Sequence, residues 1–348
     1  MATPNPLEGT HRATPPPRVS QKTFHIAGIL TTVHGLDELS SPSQPVACLW
    51  LLNPRLQTQE CMAPIAAQAI TAWNKRLQSG GGGAGQAKGL IAVSFDQRNH
   101  GTRKVDALSN EAWRSGNPRH AQDMFSIYHG TANDTSLLLT YLAAYIEPEI
   151  TQNLVLGISL GGHATWLVAL HDPRITTAVS IIGCPDYTSL MVQRAEKSKL
   201  QTWTSSEPPG SRLIGSADFP RALVEAVALY DPAGLLMGGI ANPDALTAAE
   251  KQELGSKLNS RLRGKRILNL SGGADKLVPY ACGEKFLKFL KKFVKEEAPA
   301  LGLELEDLIF NGVGHETTPA MAERAVNFIC DSIASEKPSS SSVRESKI

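Results

Sequence analysis

The sequence predicts an α/β fold in which a mostly parallel central sheet is flanked by helices. Short apolar runs that suit buried strands alternate along the chain with longer segments of helical apolar spacing, a rhythm typical of βαβ units. Some of these runs, such as residues 46–52 and 90–95, are almost continuously apolar, as expected of strands buried on both faces. The length of 348 residues is enough for one large α/β domain or two small ones.

The predicted elements follow one another in a regular order. Residues 23–33 are β-rich and predict one or two antiparallel strands that open the domain. Further strands are predicted at residues 46–52, 90–95, 154–158, 176–182, 266–271 and 303–310. Helices are predicted at residues 62–77, 117–146, 161–171, 282–297 and 319–333, the second of them with a break near Gly130.

Two segments depart from this alternation. Residues 79–89 are glycine-rich and predict a flexible surface loop, because they lack the G-K-S/T ending of a phosphate-binding loop. Residues 186–264 contain helical pieces at 188–198, 219–229 and 245–263 but no convincing strand. This region predicts a helical insertion or lid over the carboxyl edge of the sheet, and ordinary crossover helices are the alternative.

The chain is therefore predicted as one domain over residues 21–335 between two disordered tails, residues 1–20 and 336–348. The first tail is rich in proline and threonine and lacks the apolar stretch of a secretory signal. The chain ends in Ser346-Lys347-Ile348, which resembles the S-K-L peroxisomal address with a conservative last residue. A cytoplasmic location is expected, with a peroxisomal one as the alternative.

Composition and charge exclude several classes of partner. Lys and Arg number 34 against 33 Asp and Glu, so there is no electrostatic case for nucleic acid or an anionic membrane as the main partner. No uninterrupted apolar run approaches the length needed to cross a bilayer. The five cysteines are scattered and form no C-x-x-C pair, which indicates reduced thiols. Neither a metal nor a cofactor is expected.

A Gly-x-Ser-x-Gly motif lies between the predicted strand at 154–158 and the helix that follows it. This setting is typical of a nucleophile elbow, whose serine has a strained backbone with positive φ. The residues two before and two after the serine must be small, and Gly157 and Gly161 meet that requirement around Ser159. The alternative is a glycine-containing turn with a helix-capping serine.

Two later loops supply an acid and a base. Asp275 lies in Gly-Ala-Asp-x-x-Val-Pro after the strand at 266–271, and His315 lies in Gly-x-Gly-His after the strand at 303–310. With Ser159 they follow the chain order Ser, Asp, His. Over residues 23–335 the chain thus resembles the α/β-hydrolase superfamily, in particular fungal and bacterial serine esterases near the prolyl-oligopeptidase and dienelactone-hydrolase branches.

The resemblance implies a catalytic triad at the carboxyl ends of parallel strands. Ser159 would be the nucleophile, His315 the general base and Asp275 the acid that orients the imidazole. Asp186 remains an alternative acid, because some relatives carry theirs after the strand that ends near residue 182. His163, four residues after Ser159, is expected to pack or to line the pocket floor.

The oxyanion hole is the weak point of the resemblance. One donor is expected to be the backbone N–H of Leu160, the residue after the nucleophile. The second should come from the loop after the strand at 46–52, where relatives usually have His-Gly-x and this chain has Asn53-Pro54-Arg55. Pro54 has no N–H, so Arg55 is predicted as the donor, with Leu56 as the alternative.

These features predict a serine hydrolase that cleaves a small-molecule carboxylic ester through an acyl-enzyme. Three alternatives remain open. They are an acyl thioesterase, a ligand-binding member of the fold that hydrolyses little, and C–C or haloperoxidase-type chemistry on the same triad. A peptidase is disfavoured, because the chain has no room for the large extra domain of prolyl oligopeptidases. The sequence does not indicate the acyl group, the alcohol or the oligomeric state.

Overall fold

The computed structural model describes residues 5–83 and 88–335. Its strands are β1 Gln21–Ile26, β2 Ile29–His34, β3 Val46–Leu52, β4 Gly89–Phe95, β5 Ile150–Ile158, β6 Ile175–Ile181, β7 Arg266–Gly272 and β8 Glu304–Phe310. They form one sheet in the order β1-β2-β4-β3-β5-β6-β7-β8. β2 pairs antiparallel with β1 and β4, and every other neighbouring pair is parallel. The mostly parallel sheet predicted from the sequence is therefore confirmed.

Helices connect the strands and cover both faces of the sheet. In chain order they are α1 Ala63–Gln78, α2 His120–Tyr141, α3 Leu160–His171, α4 Tyr187–Lys197, α5 Gln201–Thr204, α6 Arg221–Tyr230, α7 Pro232–Met237, α8 Ala248–Leu262, α9 Tyr280–Glu296 and α10 Pro319–Ser335. Short 3₁₀ helices lie at Gln59–Met62, Gly101–Arg103, Leu108–Asn110, Trp113–Ser115, Leu142–Ala144 and Pro299–Leu301.

Alternate side chains of the central strand β3 enter two separate cores. Cys48 and Trp50 pack in the core that includes α2, α3 and α9, whereas Leu49 and Leu51 pack in the core that includes α1 and α10. All four side chains are fully buried. This two-sided burial explains why the strand appears in the sequence as a continuous apolar run.

Two helical regions differ in detail from the expectations. α2 runs through Gly130 without a break and ends at Tyr141, five residues before the predicted end. A Cβ at Gly130 would overlap the Arg98 side chain, so this glycine provides space rather than a kink. The region 186–264 is helical, as expected, and the sequence patterns missed α5 and α7 because these helices have only four and six residues.

The N-terminal segment packs against the domain from residue 5 onward. The side chain of Leu7 is 9% exposed and lies in the core beside α1 and α10. The Thr10 hydroxyl donates at 2.6 Å to the carbonyl oxygen of Thr317, which lies in the loop after β8. This packing differs from the disordered tail expected for residues 1–20. Residues 1–4, 84–87 and 336–348, which include the proposed peroxisomal address, lie outside the described residues.

Two further observations concern the class of protein. Among the described helices, none is long and apolar enough to cross a membrane. The five cysteines are unpaired thiols, of which Cys61 is partly buried and the others are buried.

Candidate active site

The turn between β5 and α3 has the conformation expected of a nucleophile elbow. Ser159 has φ of 55° and ψ of −112°, a strained backbone for a residue with a side chain. A Cβ at Gly157 would overlap the carbonyl oxygen of Gly161, and a Cβ at Gly161 would overlap that of Leu52. Both glycines are thus required by close backbone approach, as the motif predicted.

The loops after β7 and β8 are joined to each other by backbone contacts. The N–H of Ala274 donates to the carbonyl oxygen of Val313 at 2.8 Å. A Cβ at Gly272 would overlap the carbonyl oxygen of Gly314, so only glycine permits the two loops to lie this close. This packing fixes Asp275 relative to His315, although 40 residues separate them along the chain.

Ser159, His315 and Asp275 form a continuous chain of hydrogen bonds. The Oγ of Ser159 lies 2.8 Å from Nε2 of His315, and Nδ1 of His315 lies 2.7 Å from Oδ2 of Asp275. Because an ionised carboxylate only accepts, Nδ1 carries the proton and Nε2 is left to accept the serine hydroxyl. The structure therefore brings together the three residues that the sequence singled out, in the order expected.

The surroundings of Asp275 keep it ionised. Burial alone would raise the pKa of this carboxyl, but the hydrogen bond from His315 and those from the N–H groups of Val278 and Leu277 outweigh it and lower the pKa. The two backbone bonds, both to Oδ1, measure 2.9 and 2.8 Å. The carboxylate is thus held in one orientation toward the imidazole.

Asp186, the alternative acid, and His163, the histidine nearest to Ser159 in sequence, both make structural contacts. Asp186 caps α4 by accepting from the N–H of Ser189 at 2.8 Å. His163 is buried, and the N–H of Cys184 donates to its Nδ1 at 2.9 Å. Burial lowers the pKa of His163 to about 3, so the ring is neutral at physiological pH. His163 also lines the floor of the cleft described below, as the sequence suggested.

The candidate oxyanion-hole residues lie beside the elbow. Leu160 is the first residue of α3, so its N–H has no partner within the helix and is available at the site. Pro54, Arg55 and Leu160 line the same cleft as Ser159. The side chain of Arg55 donates from Nη1 to the carbonyl oxygen of Asn110 at 2.5 Å. The Arg55 side chain is therefore tied to the backbone of Asn110 and is only partly exposed.

An open cleft of about 760 Å³, solvent at its mouth included, lies over the serine and histidine. The positively charged residues that line it are Arg55, Arg114, Arg194, Lys197 and Lys276. Burial and the neighbouring Arg194 lower the pKa of Arg55 to about 10, which leaves it charged at neutral pH.

Sequence reasoning missed most of this cationic lining. Arg194 lies on α4 in a region with no readable motif, and Arg114 lies in a 3₁₀ helix far from the triad in sequence. Only the fold brings them to the cleft, so no local pattern could have indicated them. In the described part of the chain, no group of His, Cys, Asp and Glu side chains is arranged to hold a metal ion.

Comparisons with known proteins identify the fold. No family model and no curated protein matches the sequence. Solved structures match, among them TT1662 from Thermus thermophilus, with a TM-score of 0.57, 18% identity, and coverage of 92% of this chain and 100% of that one. The acylaminoacyl peptidase of Pyrococcus horikoshii matches with a TM-score of 0.50 and 12% identity, over 90% of this chain and 41% of the peptidase.

The chain has the α/β-hydrolase fold, with an eight-stranded, mostly parallel sheet flanked by helices. The predicted fold class is therefore confirmed. Identities this low establish the fold alone, and the fold accommodates many unrelated activities. The chain also spans less than half the length of the archaeal peptidase. Its activity must be argued from the site.

Proposed function

We propose that the protein is a serine hydrolase that cleaves a carboxylic ester through an acyl-enzyme. The observation that carries the proposal is the hydrogen-bond chain from Ser159 through His315 to Asp275, at distances of 2.8 and 2.7 Å. It lies at the base of an open cleft, where an ester could reach the serine. A structural serine would need neither the strained elbow nor a histidine partner.

Acylation follows from the proton positions in this chain. Ser159 Oγ attacks the ester carbonyl carbon while its proton passes to Nε2 of His315, and the carbonyl oxygen takes the displaced electron pair. Asp275 stabilises the imidazolium that forms. Collapse re-forms the carbonyl and breaks the bond to the alcohol oxygen, which takes the proton from His315. The products of this half-reaction are the acyl-enzyme and a neutral alcohol.

Deacylation repeats these steps with water. The oxygen of a water molecule attacks the acyl carbon while His315 Nε2 takes a proton from that water. Collapse breaks the bond to Ser159 Oγ, which takes the proton back and leaves a free carboxylic acid. In both steps the N–H of Leu160 would donate to the developing oxyanion, with the N–H of Arg55 proposed as the second donor. Leu56 remains the alternative second donor.

Hydrolysis of short p-nitrophenyl esters tests the proposal. Ser159→Ala should lower kcat/KM by roughly 10³-fold or more, because the nucleophile is lost. Ser126→Ala is the matched control, since that serine lies on an exposed part of α2 and hydrogen-bonds only to the carbonyl of Asp123. Equal rates for the wild type and Ser159→Ala would reject the proposal.

A ligand-binding protein of the same fold is the second candidate, favoured by the loop after β3. Pro54 cannot donate, so the oxyanion hole depends on residues beyond it. A fluorophosphonate probe separates the two candidates. Covalent labelling of Ser159 supports the enzyme, whereas an unlabelled protein that still binds small ligands supports the second candidate.

An acyl thioesterase is the near alternative within the enzyme class. The same steps apply when a thiol leaves instead of an alcohol. Comparison of kcat/KM for a butyryl ester and a butyryl thioester with leaving groups of similar shape would separate the two activities. A strong preference for the thioester would replace the ester in the proposal.

A further inference from the structure

We infer that the substrate of this cleft carries an anionic group, a carboxylate or a phosphate, near the scissile bond, and that Arg194 is its main binding residue. The inference rests on the proposed function, because the binding residue lies in the same cleft as Ser159. It adds a substrate class that the triad alone does not specify.

The lining of the cleft is strongly biased in charge. Among residues 5–83 and 88–335, the cleft is lined by five Lys and Arg residues and by no Asp or Glu. The triad acid Asp275 lies behind His315 with a side chain that is 0% exposed, so it does not face a ligand. A cleft with one sign of charge attracts ligands of the other sign. The protein as a whole has a net charge of only +1, so this bias is local.

Arg194 is held in place by neutral groups. Its Nη1 donates to Nε2 of His120 at 3.1 Å, and its Nη2 donates to the carbonyl oxygen of Leu277 at 3.3 Å. His120 is buried, and its Nδ1 donates to the carbonyl oxygen of Glu111 at 2.8 Å. Burial, followed by the charge of Arg194, lowers the pKa of His120 well below its usual value, so the ring remains neutral. These contacts orient the guanidinium without compensating its charge.

No described carboxylate pairs with most of these cations. Within the described ranges, Arg114, Arg194, Lys197 and Lys276 make no ion pair with an Asp or Glu. Burial lowers the pKa of Arg194, the expected effect on a cation removed from water. A bound anion would offset this cost, and the remaining guanidinium donors suit the two oxygens of a carboxylate or phosphate.

The position of Arg194 relates the anion to the reacting bond. Leu277, which accepts from Arg194, lies in the loop that also carries Asp275, and its own N–H donates to that carboxylate at 2.8 Å. The backbone of Leu277 therefore contacts both groups, with its N–H on the triad acid and its carbonyl oxygen on the guanidinium. A small substrate attached to Ser159 would lie in the cleft that Arg194 also lines.

Two matched pairs of esters test the inference on the full chain. For an anion on the acyl side, p-nitrophenyl hemiglutarate is compared with p-nitrophenyl valerate, which has the same chain length. For an anion on the alcohol side, 4-(butyryloxy)benzoate is compared with 4-(butyryloxy)benzamide. We expect Arg194→Gln to lower the anionic-to-neutral ratio of kcat/KM roughly 10- to 100-fold in at least one pair. Arg194→Lys keeps the charge but loses the planar guanidinium, so its anionic-to-neutral ratio should lie between those of the wild type and Arg194→Gln.

Arg119→Gln is the control, because Arg119 is an exposed arginine at the start of α2 and is not among the residues that line the cleft. It should leave both ratios unchanged. Turnover of the neutral esters by Arg194→Gln shows that this variant is folded. If neither ratio changes in Arg194→Gln while the neutral esters are hydrolysed in a Ser159-dependent manner, the inference is overturned and the proposed function stands.

Binding without turnover gives an independent measurement. In the Ser159→Ala protein, glutarate or inorganic phosphate should raise the Tm, and the added substitution Arg194→Gln should abolish that shift. A shift with glutarate alone indicates a carboxylate, and a shift with phosphate alone indicates a phosphate. A shift with neither anion contradicts the inference, whatever the outcome of the ester assays.

Discussion

The backbone N–H of Thr317 donates a hydrogen bond to the carbonyl oxygen of Pro6 at 2.7 Å. Thr317 lies two residues after His315, and Pro6 lines the cleft over Ser159. The N-terminal segment therefore supports the loop that carries the candidate base and also forms part of the cleft wall. The segment is therefore expected to affect both the stability of the domain and the shape of the cleft.

Leu7 is the anchor of this segment, and Leu7→Ala should destabilise the protein. Its side chain is 9% exposed within the core beside α1 and α10. Loss of the buried methyl groups at this edge of the core should lower the free energy of unfolding by about 2 kcal/mol. Urea unfolding measures the change. Leu229→Ala is the control, because its side chain is 58% exposed and should change stability by less than about 0.5 kcal/mol.

Gly161→Ala should be far more damaging than its single added methyl suggests. The new Cβ would overlap the carbonyl oxygen and carbonyl carbon of Leu52, which are backbone atoms that cannot rotate away. We expect a loss of at least about 3 kcal/mol in stability and of most activity, since the elbow must deform.

The matched control for Gly161→Ala is a glycine substitution expected to raise stability. Gly255 lies inside α8, and a Cβ there would meet no atom within 4 Å. Gly255→Ala should therefore stabilise the protein by about 0.5–1 kcal/mol through helix propensity. Thermal or urea unfolding of both variants checks the pair. A Gly161→Ala protein as stable as the wild type would contradict the close backbone approach.

The sheet and the three chemical residues of the candidate site could be predicted because each has a local signature. Strands buried on both faces show continuous apolar runs, and Ser159, Asp275 and His315 each lie in a short loop directly after such a run. Parallel strands then bring the three loops to one edge of the sheet. The location of these three residues directly after predicted strands was therefore enough to predict that they lie together.

The cleft wall could not be predicted in this way. Arg194 reaches the site because α4 packs in the helical region after β6, and its partners His120 and Leu277 are 74 and 83 residues away in sequence. Nothing near Arg194 in the chain distinguishes it from a surface arginine. The ordered N-terminal segment was missed for a similar reason, since its burial depends on distant contacts with α1, α10 and the loop after β8.

The two candidate acids can be separated by a matched pair of substitutions. Asp275→Asn should lower kcat roughly 10³- to 10⁴-fold, because an amide no longer fixes the productive imidazole tautomer or stabilises its cation. Asp186→Asn should leave kcat nearly unchanged, since the carboxylate only accepts from the N–H of Ser189 at the start of α4. Steady-state kinetics on a p-nitrophenyl ester checks both. A large loss in Asp186→Asn with an active Asp275→Asn would reverse the assignment.

His163 should make stability depend on pH without taking part in catalysis. Burial lowers its pKa from 6.5 to about 3, so below pH 6.5 the unfolded chain binds a proton that the folded protein does not. Stability is therefore lost as the pH falls, by about 2 kcal/mol between pH 7 and pH 5 through this one residue. His34, whose pKa burial lowers to about 4, adds a loss of the same sign.

The substitution His163→Asn isolates this contribution. Asparagine does not titrate, so the variant should lose about 2 kcal/mol less than the wild type between pH 7 and pH 5. Urea unfolding at the two pH values measures the difference, and the contribution of His34 cancels because both proteins retain it. An equal pH dependence in the two proteins would show that His163 is protonated in the folded state. It would then have to be reconsidered as a titrating group of the site, beside His315.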